Sequence, residues 1–248
     1  MEPFRVGPAP EPPPARGAPK IAARNRVPFA LTAALRHDRI NVIAEIKSAS
    51  PSAGTIVSDP DVEAIAATYK QGGAAAISIV TEPEFFRGSR EWIGRAAGQL
   101  PILMKDFIVD ESQLIRGVAA GASAILLLAS LLDAKQIRDF IACLDAYSCD
   151  ALVEVHDEAE SERAITGGAR IIGVNNRNLR DFSVDLGASE RLARQIPDGV
   201  LRVAESGIKT RGDIDRLRAA GFDAFLVGES LLRQNDRAAA VSNLVLGS

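Results

Sequence analysis

Short apolar runs alternate with amphipathic stretches along most of this chain. From residue 41 onward, each apolar run is followed by a polar turn and then by apolar residues at helical spacing. The runs predict eight strands, at residues 42–46, 75–80, 101–104, 123–128, 150–155, 170–174, 200–204 and 223–227. The amphipathic stretches predict eight helices, at residues 60–71, 89–98, 111–120, 133–146, 157–166, 186–196, 210–220 and 230–244. This alternation predicts a parallel sheet covered by helices.

The number of units indicates how the sheet closes. Eight strand–helix units in about 250 residues favour a closed (β/α)8 TIM barrel over an open doubly wound sheet. An open sheet would carry a glycine-rich dinucleotide turn after the first strand, and SASPSAG stands there instead. We therefore predict one α/β barrel domain over residues 28–248, with a short helical segment at its start. Residues 1–27, rich in Pro and Ala, are predicted to form a flexible arm.

Composition excludes several classes of protein. The net charge is −3 and 25% of the residues are charged, so neither nucleic acid nor an anionic membrane is an expected partner. No apolar run reaches membrane-spanning length, and the N-terminus lacks an apolar signal core. Cys143 and Cys149 have neither zinc spacing nor a disulfide framework, so we expect reduced thiols and a cytoplasmic location.

The predicted strand ends carry most of the chain's candidate chemistry. In a (β/α)8 barrel the active site lies at these ends. The side chains found there are Glu45, Lys47, Thr81, Glu82, Lys105, Asp106, Glu154, His156, Asn175, Asn176, Arg177, Glu205, Ser206 and Glu229. One charged pair at a strand end could be a simple ion pair, but sorting by strand end along the whole chain predicts one polar site. His156, beside Asp157 at a predicted helix start, is interpreted as structural.

The last two predicted strands indicate a phosphate site. Ser206-Gly207 and Gly228 follow these strands and bring bare backbone N–H groups to helix starts. The corresponding two loops commonly bind phosphate in this fold. Glu229 would contribute its backbone N–H group while its side chain points away.

Seven motifs, in order along the chain, resemble the indole-3-glycerol phosphate synthase family. They are IAEIKSASPSAG (Ile43–Gly54), SIVTEPEFFRGS (Ser78–Ser89), ILMKDFIVD (Ile102–Asp110), LVEVHD (Leu152–Asp157), GVNNRNL (Gly173–Leu179), AESGI (Ala204–Ile208) and FLVGESLL (Phe225–Leu232). The resemblance implies a single barrel without cofactor or metal. It also implies a reaction on a phosphorylated small molecule. That reaction converts 1-(2-carboxyphenylamino)-1-deoxyribulose 5-phosphate to indole-3-glycerol phosphate, CO2 and water.

The resemblance also implies roles for individual residues. Lys105 matches the general acid that protonates the ketone oxygen during ring closure, a role that a lysine can fill if neighbouring cations and burial lower its pKa. Glu154 matches the general base of the dehydration. Glu45 and Lys47 match a pair that positions the substrate and assists proton transfer, and Asn175 matches a residue that holds the ring-closure geometry.

Further matches concern substrate binding. Ser206, also matched as catalytic, and Arg177 correspond to residues near the ribulose hydroxyls and the mouth of the site. Phosphate or carboxylate contacts correspond to Ser50, Gly207, Gly228 and the backbone of Glu229. The apolar slot for the anthranilate ring corresponds to Pro51, Phe86, Phe107, Leu126, Leu128 and Leu179. An apolar slot favours loss of CO2, because it makes the carboxylate's charge costly.

The chain departs from the family pattern at two positions near the site. Ser48 and Met104 stand where members often carry basic residues, and the Pro-rich arm replaces an extra covering helix. Two other readings stay open: a different sugar-phosphate barrel enzyme, such as phosphoribosylanthranilate isomerase, or a non-catalytic barrel that binds sugar phosphates. The isomerase needs a Cys/Asp pair at strand ends, and a non-catalytic barrel would have lost its acid or base. We expect a monomer or weak homodimer.

Overall fold

Eight parallel strands close into a barrel in the computed structural model, which describes residues 27–177 and 183–247. The barrel strands are hydrogen-bonded in the order β1-β10-β9-β8-β7-β6-β5-β4, and β2 and β3 form a small antiparallel hairpin outside the barrel. The strands are β1 (Asn41–Ile46), β2 (Ala49–Ser50), β3 (Gly54–Thr55), β4 (Ala76–Val80), β5 (Ile102–Lys105), β6 (Ala124–Leu128), β7 (Asp150–Val155), β8 (Ile171–Asn175), β9 (Leu201–Glu205) and β10 (Ala224–Val227). The predicted fold class is confirmed.

Helices follow the barrel strands and cover them from outside. The described helices are α1 (Ala30–Leu35), α2 (Val62–Gln71), α3 (Glu91–Arg95), α4 (Glu111–Ala120), α5 (Ala134–Asp145), α6 (Glu158–Thr166), α7 (Leu186–Ala193), α8 (Arg211–Ala219), α9 (Glu229–Leu232) and α10 (Arg237–Leu246). Aspartate or threonine side chains cap several of these helices at the N-terminus. Asp133, Asp157 and Thr210 do so as predicted, whereas Asp61 caps α2 in place of the predicted Asp59-Pro60.

The barrel strands are buried on both faces, which explains their continuous apolar runs. In β1, Val42, Ala44 and Ile46 pack in the apolar layer between strands and helices, whereas Ile43 packs inside the barrel. Glu45 lies two residues beyond Ile43, so its side chain is on the interior face at the carboxyl end of the strand. The same alternation brings a polar side chain of several other strands to the top of the interior.

The short helix α1 closes the opposite end of the barrel, and this confirms the predicted helical segment at the start of the domain. Leu31 and Leu35 are buried in the interior apolar cluster. Asp150, at the start of β7, accepts hydrogen bonds from the backbone N–H groups of Leu31 and Thr32 and from the Thr32 hydroxyl, at 3.0, 3.1 and 2.6 Å. The floor of the barrel is thereby fixed to its wall.

The predictions for residues 230–244 and for residues 1–27 have different outcomes. The helix predicted over residues 230–244 is wrong as one element, because the structure has α9 and α10 there. Asp236 caps α10 by accepting from the Ala239 N–H group, and Arg237 donates to the Leu232 carbonyl, so the chain turns between the two helices. The predicted arm, residues 1–27, lies outside the described residues except for Val27, and it stays a prediction.

Candidate active site

A cavity of about 1310 Å³ opens at the carboxyl ends of the barrel strands. All the predicted site residues that the structure describes line it. They are Glu45, Lys47, Ser50, Pro51, Phe86, Lys105, Phe107, Leu126, Leu128, Glu154, Asn175, Arg177, Ser206, Gly207, Gly228 and Glu229. Leu179 lies outside the described residues. The other strand-end side chains also line the cavity, except for Thr81 and Asn176, so most of the strand-end pattern corresponds to one surface.

Lys105 lies at the centre of the floor of this cavity, among three carboxylates. Its Nζ atom is 2.8 Å from Glu205 Oε2, 3.4 Å from Glu154 Oε2 and 3.8 Å from Glu45 Oε2. These glutamates come from β9, β7 and β1, so Lys105 of β5 connects four strands at the barrel mouth. All four side chains are largely buried, which strengthens their mutual electrostatic interactions.

This arrangement does not meet the condition of a lowered pKa at Lys105. Burial alone would lower that pKa, but Glu205, Glu154 and Glu45 outweigh burial and raise it above the ordinary lysine value. The lysine is therefore a firmly protonated ammonium in the unliganded site. It can donate a hydrogen bond to a substrate oxygen, and it becomes a stronger acid whenever a neighbouring carboxylate is neutralised.

Glu154 has the surroundings of a carboxylate that stays ionised. Burial opposes ionisation, yet Lys105, His156 and a hydrogen bond from Asn175 hold the pKa of Glu154 below its ordinary value. The Asn175 Nδ2 atom donates to Glu154 Oε1 at 2.9 Å, and Asn175 Oδ1 accepts from the Arg177 N–H group at 3.0 Å. Asn175 is thus fixed at both ends and orients the carboxylate.

Glu205 is a member of this cluster that the sequence reasoning did not include among the site residues. Burial raises its pKa to about 7, Glu154 adds to the effect, and Lys105 opposes it. A Cβ atom on Gly173 of the neighbouring strand would lie 2.1 Å from Glu205 Oε1, so the glycine makes room for this carboxylate. The available signal was the position of Glu205 at the end of a strand, in the AESGI motif.

Glu45 is held in a tighter ion pair than the other two glutamates. Its Oε1 atom is 2.6 Å from Lys47 Nζ. Burial opposes ionisation, but Lys47 and Lys105 keep the pKa of Glu45 below its ordinary value. Gly228 makes room for this side chain, since a Cβ atom there would lie 2.4 Å from Glu45 Oε1.

An aromatic wall forms one side of the cavity. The rings of Phe86 and Phe107 lie 6.3 Å apart between centroids and are tilted by 54°. The loop that carries Phe86 is folded around the buried carboxylate of Glu82, which accepts from the backbone N–H groups of residues 84, 85 and 86 at 2.7–3.0 Å. Leu126 and Leu128 of β6 complete an apolar slot.

The opposite side of the cavity consists of turns after β9 and β10. Ser206 and Gly207 both have positive φ, 67° and 80°, and this conformation is strained for the serine. The buried Asn176 side chain supports the turn, because its Nδ2 atom donates to the carbonyls of Glu205 and Ser206 at 3.0 and 3.1 Å. The Glu229 carboxylate accepts from Arg233 Nε at 2.9 Å, so the charge of this residue is paired.

At the two departures from the family pattern, the side chains lie outside the cavity wall. Met104 points away from the cavity into the layer between strands and helices, where its sulfur would lie 2.6 Å from a Cβ atom on Gly117. Ser48 is buried, and its carbonyl accepts from the N–H groups of Ile56 and Val57 at 2.7 and 3.1 Å. Neither side chain belongs to the cavity wall.

Within the described residues, no group of three or more His, Cys, Asp or Glu side chains is arranged to hold a metal ion. In the same part of the chain, no helix is long and apolar enough to cross a membrane. Within the described residues, neither Cys143 nor Cys149 forms a disulfide.

The fold and the site define a class, the (β/α)8-barrel enzymes with an acid–base cluster at the carboxyl ends of the strands. Solved structures share the fold. For example, a 3-hexulose-6-phosphate synthase matches with a TM-score of 0.62 at 16% identity, over 83% of this chain and 98% of that chain. The indole-3-glycerol phosphate synthase family model matches residues 18–244. This chain belongs to that family.

Named relatives cover most of the chain. It is similar to the indole-3-glycerol phosphate synthase of Chlorobium chlorochromatii, with 50% identity over 77% of this chain and 76% of the relative. It is also similar to that of Sulfurimonas denitrificans, with 43% identity over 92% of this chain and 89% of the relative. The family resemblance of the motifs is confirmed.

Proposed function

We propose that this chain is a carboxy-lyase of tryptophan biosynthesis that forms indole-3-glycerol phosphate from 1-(2-carboxyphenylamino)-1-deoxyribulose 5-phosphate, with release of CO2 and water. The observation that carries this proposal is the pairing of Lys105 with Glu154 across the floor of the cavity, at 3.4 Å. One residue is a protonated cation and the other an ionised carboxylate. They supply the acid and the base that ring closure and dehydration need.

Ring closure joins an aryl carbon to the ketone carbon of the substrate. The ketone oxygen gains negative charge as the bond forms, and Lys105 donates a proton or hydrogen bond to it. The neighbouring Glu205, with its pKa raised to about 7, carries a proton in a fraction of molecules at neutral pH. In that form it no longer opposes proton loss from Lys105, so the lysine is a stronger acid.

Decarboxylation and dehydration follow from the same arrangement. The apolar slot formed by Phe86, Phe107 and Leu126 surrounds the aromatic ring and disfavours its carboxylate, so that loss of CO2 restores electrons to the new ring. Glu154 then removes a proton from carbon, and Lys47, matched as the residue that assists proton transfer, gives a proton to the hydroxyl, which leaves as water. Asn175 keeps the carboxylate oriented for this step.

The remaining wall residues bind the ends of the substrate. The N–H groups of Gly207 and Glu229 are directed to the phosphate, and the pairing of Glu229 with Arg233 limits repulsion of that anion. Ser206 and Arg177 contact the ribulose hydroxyls. Lys47 and Glu45 position the substrate, and Ser50 and Pro51 close the cavity from the β2–β3 hairpin.

Growth of indole fluorescence on the ribulose phosphate substrate tests the function. We expect Lys105→Ala to abolish product formation and Lys105→Arg not to restore it, because guanidinium keeps its proton. Glu154→Gln keeps the shape but removes the base, so turnover should fall by about 10²–10⁴ with little change in substrate affinity. Lys135→Ala, which changes an exposed lysine on α5, is the matched control.

Two outcomes would contradict this assignment. A fully active Lys105→Arg variant would show that Lys105 is not the general acid. Near-normal turnover of Glu154→Gln would show that Glu154 is not the general base. The isomerase alternative finds no support in the cavity, because neither Cys143 nor Cys149 is among the residues that line it.

We further propose that the chain acts as a monomer or weak homodimer in the cytoplasm. Four of the large exposed apolar side chains line the cavity mouth, namely Phe85, Phe107, Leu131 and Val184. Their position fits substrate binding better than a dimer interface, and two cysteines outside any disulfide fit a reducing compartment. Sedimentation of the purified protein tests the oligomeric state.

A further inference from the structure

His156 follows β7 directly and lies in the wall of the cavity. Its Nδ1 atom is 3.0 Å from Glu160 Oε2, and its Nε2 atom is 3.3 Å from Glu154 Oε1. The ring therefore lies between two carboxylates. Nε2 is buried and, among the described residues, has no partner in hydrogen-bond geometry, so its contact with Glu154 is an electrostatic one.

Glu160 fixes the ring from behind. It lies on α6, and its Oε2 atom also accepts from the backbone N–H group of His156 at 2.8 Å. Its own backbone N–H group donates to the cap residue Asp157 at 2.8 Å, and Arg163 lies 3.9 Å from its Oε1 atom. The first turn of α6 thus holds the imidazole in one orientation relative to Glu154.

The charges around the ring favour imidazolium. Glu154 at the end of β7, Glu160 on α6 and Glu205 at the end of β9 all raise the pKa of His156, although burial opposes them. Two cations counter this effect: Lys105 on β5 lies beside Glu154 and Glu205, and Arg163 lies beside Glu160. Three carboxylates thus face the imidazole from three different elements.

The two oxygens of Glu154 are consequently divided between different partners. Oε1 receives the Asn175 amide at 2.9 Å and faces His156 at 3.3 Å, while Oε2 faces Lys105 at 3.4 Å. Oε1 accepts a hydrogen bond from Asn175 and lies near the imidazole, and Oε2 is the oxygen that faces Lys105.

We propose that His156, clamped by Glu160, is a positioning residue that holds Glu154 in its orientation and in its ionised form as the base of dehydration. This inference rests on the proposed function and adds to it a residue that the sequence pattern marked as structural. If His156 served only the start of α6, its replacement would lower stability without changing the ionisation of Glu154.

The pH profile of kcat distinguishes these roles. Removal of a cation within about 4 Å of a carboxylate raises the carboxylate pKa by about 1–3 units. We therefore expect His156→Gln to move the acid limb of the kcat profile to higher pH by about that amount, with KM little changed. Glu160→Gln, which keeps an acceptor for Nδ1, should move the limb in the same direction by less. An equal fall in kcat at every pH would overturn the proposal.

Histidine NMR provides a readout that does not depend on turnover. The chain has two histidines. His37, an exposed residue just after α1, is the matched control. The variant His37→Gln lacks one of the two ring signals and thereby assigns both. We expect the His156 signal to titrate above about 6.5, the ordinary histidine value, and its midpoint to fall in Glu160→Gln. A midpoint that does not change in this variant would overturn the clamp.

The two readouts separate this inference from the proposed function. If the wild type forms no indole product, the proposed function fails and the dehydration role fails with it, while NMR still decides whether Glu160 controls the ionisation of His156. If the wild type forms product and the His156→Gln profile is not shifted, the inference alone fails. His37→Gln should leave the kcat profile unchanged.

Discussion

Gly173→Ala adds one methyl group and should disturb the buried group formed by Lys105, Glu45, Glu154 and Glu205. Gly173 lies in β8, beside the buried side chain of Glu205 in β9. A Cβ atom at this position would lie 2.1 Å from Glu205 Oε1 and 2.7 Å from Leu152 Cδ2. The leucine is packed in the barrel interior, so the Glu205 carboxylate has to move.

The size of that movement can be worked from the distances. An ordinary contact is no closer than 3.4 Å, so the 2.1 Å approach leaves a deficit of about 1.3 Å. Glu205 Oε2 is 2.8 Å from Lys105 Nζ in the wild type, and a shift of this size breaks or redirects that contact. Misplacement by about 1 Å can lower kcat by about 10²-fold, and overpacking should cost about 1–3 kcal/mol of stability.

Steady-state kinetics and urea unfolding measure the two effects. Gly94→Ala is the matched control, because a Cβ atom on this glycine of α3 meets nothing within 4 Å. It should leave kcat unchanged and stabilise the protein by about 0.5–1 kcal/mol, the usual difference between glycine and alanine in a helix.

A double-mutant cycle tests whether the effect acts through Glu205. Glu205→Ala removes the side chain that the new Cβ atom would meet, so Gly173→Ala should then cost little further activity. An equal loss of kcat in both backgrounds would refute the reasoning, and so would a Gly173→Ala enzyme with wild-type kcat.

Two further changes test the floor of the barrel and the ionisation of Glu205. Thr32→Val removes the 2.6 Å hydrogen bond to Asp150 and should lower the free energy of unfolding by about 1–3 kcal/mol, whereas Thr32→Ser should retain most of it; equal urea midpoints for both would contradict this. Burial raises the pKa of Glu205 from 4.5 to about 7, so folded protein binds this proton more tightly than unfolded protein. The stability it contributes is present below pH 4.5 and is lost as pH rises through about 7, by on the order of 3 kcal/mol. Glu205→Gln should flatten that fall between about pH 5 and 8, and an unchanged slope would count against the raised pKa.

Much of the fold could be predicted from the sequence because its local and long-range signals agree. The eight apolar runs, each followed by an amphipathic stretch, specify strand–helix units, and the number of units favours closure. The break between α9 and α10 was missed because Asp236 looks like any polar residue of an exposed helix face. Its role as a cap depends on where the preceding turn ends.

Strand alternation predicts the direction of the Met104 side chain, which is one of the two departures from the family pattern. Met104 precedes Lys105 in β5, and successive side chains of a strand face opposite sides. Since Lys105 faces the interior, Met104 has to face the helices, as it does. A basic residue at this position would therefore approach the site only from outside the barrel wall.

The orientation of His156 could not be read from the sequence in the same way. The residue lies after the last residue of β7, where alternation no longer fixes the direction of a side chain. Its direction is set by Glu160, one turn further along α6, and by the capping geometry that places this carboxylate beside the ring. Such a contact depends on the angle at which the helix leaves the strand.

The chemical roles of the three glutamates could not be predicted from the sequence either. Glu45, Glu154 and Glu205 all end strands, and the sequence offers no means to rank their pKa values. Their partners do: Lys47 lies beside Glu45, Asn175 and His156 lie beside Glu154, and Glu205 is buried beside Glu154, with Lys105 opposing the rise of its pKa. Environments that push pKa values apart mark which group accepts a proton and which one carries it. In the proposed function Glu154 is therefore the base and Glu205 the group that carries a proton near neutral pH, a division that depends on the closure of the barrel.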